Sequence, residues 1–252
     1  MSFTVEAGAY DRFMGRFAVP LAPAFADFAS LPAAPRVLDV GCGPGALTAE
    51  LVKRFEPTSV AAVDPSESFV MAARERYPGV TVRQASAEHL PFDDATFDAS
   101  LAQLVVHFMA DPIVGLREMR RVTRRDGVVA ACVWDHEGGG SPLSLFWEAV
   151  QQRDREAESE AGLAGAREGQ LAELFQAAGL REVVPGVLSI RVEHPSFEDW
   201  WEPFTFGVGP AGDYIARLDA SRRAQLRERC RTMLPEPPFW TNGRAWAARG
   251  VA

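Results

Sequence analysis

Val37-Leu-Asp-Val-Gly41-Cys-Gly43-Pro-Gly45-Ala-Leu-Thr48 is the stretch that decides the fold. Arg36 to Val40 is a short, mostly apolar run, the pattern of an inner parallel strand covered on both faces. It stops at Gly41, and the helical spacing of Leu47, Leu51, Val52 and Phe55 starts just after Gly45. Glycines at such a junction let the backbone turn sharply and approach a ligand closely, with a helix N-terminus beside it. A dinucleotide fingerprint places its third glycine three positions after the second. Here Gly41-x-Gly43-x-Gly45 closes one position sooner. The bland alternative, a strand-to-helix turn with no ligand, loses ground to the acid that closes the next strand.

Ser59 to Val63 is a second apolar run, and it ends in Asp64-Pro65-Ser66. An acid closing the strand about 20 residues after a glycine loop is placed to accept hydrogen bonds from ribose hydroxyls. An Asp before Pro-Ser also suits a helix N-cap, and Ser66 suits it equally well. Paired with the glycine loop, Asp64 reads better as a ribose ligand.

VLDVGCGPG, AAVDPS and AEHLPFDDATFD together resemble the successive signatures of class I S-adenosylmethionine-dependent methyltransferases. The nearest group is the small-molecule branch that includes the ubiquinone and menaquinone biosynthesis methyltransferases, and the resemblance is specific over residues 36 to 134. It implies an α/β fold, a doubly wound, mostly parallel seven-stranded Rossmann-like sheet with helices on both faces and a helical insertion before the last strand. It also implies S-adenosylmethionine as cofactor. The loop of Gly41, Cys42, Gly43 and Gly45 would hold the methionine part, Asp64 and Pro65 the ribose, and Ala87 and Glu88 the adenine. The family commonly has Asp where Ser86 stands, so a carboxylate contact to the adenine amino group is either missing or supplied by Glu88. Related leaders close over the cofactor, which gives Tyr10 and Arg16 a place near its carboxylate; a helix packed on the sheet is the competing reading.

The remaining periodicity predicts strands at Val80 to Gln84, Phe97 to Leu101, Val128 to Trp134 and Glu182 to Val192. Helices are expected from Asp111 to Val122, Leu143 to Ser159 and Glu168 to Ala178, the last closed by Gly179. One domain is expected over 1–252, with a helical leader at 1–35, the Rossmann-like core at 36–194, a substrate-side insertion at 195–242 and the last strand at 243–252. An amphipathic helix near Tyr214 to Met233 is expected within the insertion.

Methyl transfer from a sulfonium is an in-line displacement whose leaving group needs no proton, so alignment supplies much of the rate and no strong catalytic motif is expected. His107, after strand 4, is the candidate general base for a protonated acceptor, able to take a proton near neutral pH. Gln103 suits the cofactor's amino-acid end, and His136 after strand 5 suits the acceptor. In the insertion, Trp200, Trp201 and Phe204 suggest an apolar lid over a small-molecule pocket, one of the adjacent tryptophans lining it. His89, His107, His136 and His194 are too dispersed to suggest a metal centre.

The 252 residues carry a formal charge of −8, which argues against a nucleic-acid partner. No apolar run reaches the length of a membrane span, and Cys42, Cys132 and Cys230 are odd in number and scattered, so a reducing, cytoplasmic setting is expected. A nicotinamide oxidoreductase is the runner-up function. A short-chain dehydrogenase would need Tyr-x-x-x-Lys, but the tyrosines are followed four places on by Met14, Thr81 and Leu218, and Lys53 is the only lysine. A non-catalytic S-adenosylmethionine-binding protein is the third reading.

Overall fold

The computed structural model describes residues 6–252; residues 1–5 of the expected leader lie outside the described residues. Its seven strands are β1 (Val37–Val40), β2 (Val60–Asp64), β3 (Thr81–Gln84), β4 (Phe97–Gln103), β5 (Thr123–Trp134), β6 (Arg181–His194) and β7 (Phe239–Val251). Every residue of β1 and β2 is buried, which is why both read as unbroken apolar runs. The strands lie in the order β3-β2-β1-β4-β5-β7-β6. All neighbours are parallel except β7, which runs antiparallel to both β5 and β6. The chain winds outward from β1 to β3, then returns to place β4 on the other side of β1. A crevice opens at that reversal, beyond the carboxyl ends of β1 and β4.

Helices α1 (Ala7–Tyr10) and α2 (Arg16–Ala29) are joined by a π-type turn, Asp11–Gly15. Then come α3 (Ala46–Arg54), α4 (Glu67–Arg76), α5 (Pro112–Val122), α6 (Ser144–Gln151) and α7 (Gln170–Ala177). The Asp111 carboxylate caps α5 by accepting the Ile113 and Val114 N–H groups at 3.0 and 3.1 Å. Leu21 and Phe25 of α2, Leu47 of α3 and Val70 of α4 cover one face of the sheet with Val37. Leu116 and Met119 of α5 and Phe175 of α7 cover the other with Leu38 and Val40. The insertion holds α8 (Phe197–Trp201), α9 (Gly209–Ala216) and α10 (Ala220–Met233). With α6 and Phe13 of the leader it forms a third, aromatic cluster.

The four largest departures from the sequence reading have physical causes. The helix expected to reach Ser159 stops at Gln151, because residues 151–156 are exposed and offer nothing apolar to bury. The helix expected over Tyr214 to Met233 is two helices: Asp219 accepts the Arg222 N–H at 2.8 Å and starts α10 afresh. The strand expected from Val128 begins at Thr123, the extra residues absorbed by a register shift opposite Phe97 to Ala99. The last strand begins at Phe239 rather than 243, directly after Pro237 and Pro238, so the insertion ends at 238.

Candidate functional site

The glycine loop is pinned from below: the Val63 carbonyl accepts the N–H groups of Gly41 and Cys42 at 2.8 and 2.9 Å. Gly41, Gly43 and Gly45 all have positive φ, at 70°, 55° and 107°. They need to be glycine for different reasons. A Cβ at Gly41 would strike Val105 and one at Gly45 would strike the Tyr77 ring, whereas one at Gly43 would meet nothing nearer than Tyr10 Cε1 at 3.8 Å. The open side of the turn is therefore at Gly43. Its N–H donates to Asp64 Oδ2 at 2.9 Å, and the Ser66 N–H donates to Asp64 Oδ1 at 2.8 Å. Asp64 thus braces the glycine loop against the turn that begins α4. Burial raises its carboxyl pKa, and the Ser66 and Gly43 N–H groups pull it partly back. Beneath it, Asp39 accepts the Thr48 hydroxyl at 2.6 Å and is raised to about 7, chiefly by burial and further by the charge of Asp64.

A cavity of about 240 Å³ opens above these residues. Tyr10, Gly41, Gly43, Asp64, Pro65, Ala87, Glu88 and Gln103 all line it, as do Phe69, Val105 and Met109, which the sequence did not single out. Glu88 orders one wall by accepting the Ala110 N–H at 2.8 Å. Gln103 Nε2 donates to the Ala18 carbonyl at 3.0 Å, while its Oε1 is buried with no hydrogen-bond partner.

Three expected cofactor residues lie elsewhere. Gly45 is closed off by Tyr77, and the buried Cys42 thiol turns to the Gly43 carbonyl at 3.4 Å. Arg16 donates to the Asp199 carbonyl at 2.8 Å and to Asp199 Oδ1 at 3.0 Å, and lies 3.2 Å from His194 Nδ1. Its charge is spent fastening the leader to the insertion.

A second hollow, about 30 Å³, shares Tyr10, Leu104 and Phe108 with the first and so lies directly across them. His107 and His136 both line it, their ring centroids 5.7 Å apart. His136 is carried by the loop after β5, which Asp135 holds by accepting the Gly138 N–H at 2.9 Å, Arg244 Nε at 2.7 Å and Trp246 Nε1 at 3.1 Å. The expectation that the resting His107 ring titrates near neutral pH is corrected here, while its role as base toward an acceptor stays a proposal. Burial, and then His136, holds His107 well below the ordinary histidine value, and burial lowers His136 to about 4 against the pull of Asp135. Both rings are neutral at pH 7.

The lid expectation for Trp200, Trp201 and Phe204 also changes. All three are buried and none lines either hollow. Phe204 stacks on Phe146 at 4.6 Å and meets Phe13 edge-on at 5.2 Å, while Trp200 packs on Phe204 at 4.9 Å. They form the wall behind the hollow; from the insertion only Val208, Gly209 and Pro210 reach it. Glu160, from a short turn before α7, also lines it and escaped the sequence reading, because an isolated Glu in an acidic stretch carries no local signal. Among the described residues, no group of three or more His, Cys, Asp or Glu is placed to hold a metal ion, and no helix is long and apolar enough to cross a membrane.

Residues 38–131 match the family model described as methyltransferase domain. The chain is 40% identical over 100 residues to a 2-methyl-6-phytyl-1,4-hydroquinone methyltransferase of Oryza sativa subsp. japonica, covering 39% of this chain and 28% of that protein. It is 37% identical over 135 residues to an uncharacterised methyltransferase of Mycobacterium bovis, covering 54% and 52% of the two chains. The matches thus span a quarter to about half of these relatives' lengths. A solved S-adenosylmethionine-dependent methyltransferase of Thermotoga maritima, described as a possible histamine N-methyltransferase, superposes with a TM-score of 0.58 at 20% identity, over 97% of this chain and 95% of that one. Residues 38–131 are thus similar to a methyltransferase domain, and the chain as a whole shares the Rossmann-like fold of that solved structure.

Proposed function

We propose that this protein transfers a methyl group from S-adenosylmethionine to a small organic acceptor. The observation that carries the reading is the meeting of two hollows across Tyr10, Leu104 and Phe108, one lined by the glycine loop and Asp64, the other by two neutral histidines. The first fits the cofactor. Gly43 leaves room for close backbone approach, Asp64 has lone pairs left for ribose hydroxyls, and the orphaned Gln103 Oε1 awaits a donor such as an amino-acid ammonium. When bound, S-adenosylmethionine supplies an electrophilic methyl carbon on a sulfonium. The protein's share is to align the acceptor with that carbon and to exclude water. A neutral His107 is free to take a proton from the acceptor as it reacts. Three buried cysteines, none in a disulfide, suit a reducing cytoplasmic setting.

Calorimetry with S-adenosylmethionine, S-adenosylhomocysteine and NAD tests the reading. The first two are expected to bind and NAD to fail. Binding of NAD alone would overturn the proposal in favour of an oxidoreductase. Turnover on a panel of acceptors separates catalysis from mere cofactor binding.

A further inference from the structure

Three polar atoms around the second hollow are buried without a hydrogen-bond partner: His107 Nδ1, His136 Nε2 and Glu160 Oε2. All three residues line that hollow, and the rest of its wall is mainly apolar, with Phe13, Leu104, Trp134 and Val208 among it. Buried polar groups in native proteins are almost always paired, so three orphans on residues that line one small space mark where a ligand's polar group belongs. The hollow, about 30 Å³, has the size of one functional group rather than of a whole molecule.

We infer that Glu160, with His107 and His136, selects an uncharged hydroxyl group on an apolar acceptor, Glu160 donating to the hydroxyl oxygen and an imidazole accepting its proton. This rests on the methyl-transfer reading and names the acceptor class for it. The charges available decide the class. No Lys or Arg lines the hollow, so a carboxylate or phosphate would enter without a counter-ion and lose its hydration. An ammonium has no lone pair to attack a methyl carbon, and two neutral imidazoles repay little of its desolvation. Glu160 is raised to about 7, chiefly by burial, so a protonated carboxyl able to donate is populated at neutral pH. Both imidazoles are neutral and can accept. A hydroxyl both donates and accepts, and so answers both kinds of orphan at once.

The step balances. The hydroxyl oxygen forms a bond to the methyl carbon, the carbon–sulfur bond breaks, and its electron pair stays on sulfur as a thioether. The hydroxyl proton passes to the imidazole. One positive charge disappears at sulfur and one appears on the ring, so the net charge of the site is unchanged and the product is a methyl ether.

The test uses the full chain saturated with S-adenosylhomocysteine, titrated calorimetrically at pH 6.0, where Glu160 is mostly protonated, with phenol, benzene, benzoate, benzylamine and phenyl phosphate. Phenol is expected to bind at least about tenfold more tightly than any of the others. Glu160→Gln, whose amide still donates, should stay within about threefold of the parent for phenol, while Glu160→Leu should fall to the benzene level. Unchanged S-adenosylhomocysteine affinity in both variants shows that they are folded. The inference is overturned if benzoate, benzylamine or phenyl phosphate matches phenol, if no probe binds, or if Glu160→Leu keeps full phenol affinity. Failure of S-adenosylhomocysteine itself to bind would instead sink the methyl-transfer reading.

Discussion

Gly43 and Gly45 share a positive φ yet should fail in different ways when replaced. At Gly45 an added Cβ meets the Tyr77 ring and leaves the cofactor cavity untouched, so Gly45→Ala should cost about 1–3 kcal/mol in urea unfolding and little S-adenosylhomocysteine affinity. Gly43→Val should do the reverse, losing more than about tenfold in affinity because its side chain stands in the cavity. A Gly45→Ala protein of normal stability, or a Gly43→Val protein of normal affinity, contradicts the loop geometry. Asp64→Ala removes an acceptor for ribose hydroxyls and should weaken cofactor binding by about 1.5–3 kcal/mol, roughly 10- to 150-fold. Asp39 gives a pH signature. Its folded-state pKa of about 7 lies above the ordinary value, so the folded protein holds a proton that the unfolded chain has released, and stability drains away as pH rises toward 7. Asp39→Asn lacks that titration. Its stability should therefore gain on the parent by up to about 1.4 kcal/mol per pH unit between about pH 4 and 7, then run parallel above 7. A constant difference from pH 5 to 8 would refute the assignment.

The elements that meet at Arg16 make a separate case. Arg16 opens α2, His194 ends β6, and Asp199 belongs to α8, where its carboxylate also lies 3.0 Å from His194 Nδ1. Arg16→Met should cost about 1–2 kcal/mol of stability, discounted for the partial exposure of the pair, and leave S-adenosylhomocysteine affinity intact. A tenfold loss of affinity would restore Arg16 to the cofactor site. Strands and helix starts were legible in the sequence wherever burial imposes a pattern. β1 and β2 are covered on both faces, and α5 announces itself through Asp111-Pro112. Ends were less legible. Nothing in Gln152-Arg153-Asp154-Arg155-Glu156 forbids a helix; the helix stops because no neighbour covers it. The first residues of β7 were hidden because Trp240, Thr241 and Asn242 become strand only through pairing with β6.

Across the whole molecule, the two halves of the site differed in legibility for a topological reason. The proposed cofactor cavity is built chiefly from turns that directly follow β1, β2, β3 and β4, so its residues sit in short motifs with fixed spacing. The second hollow draws Phe13 from the leader, His136 from beyond β5, Glu160 from an irregular stretch and Val208 from the insertion. No spacing links them, and bulky aromatics nearby drew the reading to Trp200 and Trp201 instead. Because Trp200 is core, Trp200→Ala should lower stability by about 3–5 kcal/mol while the fraction that remains folded binds S-adenosylhomocysteine normally. A stable variant would mean that Trp200 is not part of the packed wall. The insertion leaves the sheet at His194 and rejoins it at Phe239, and these two residues are direct partners in the β6–β7 ladder. Its two ends are thus held about 5 Å apart by the ladder itself. The segment between them can grow, shrink or be exchanged for another without moving any strand that carries the glycine loop or Asp64. The insertion is in this sense a cassette plugged into one hairpin, free to diverge while the strands beneath the glycine loop and Asp64 stay as they are.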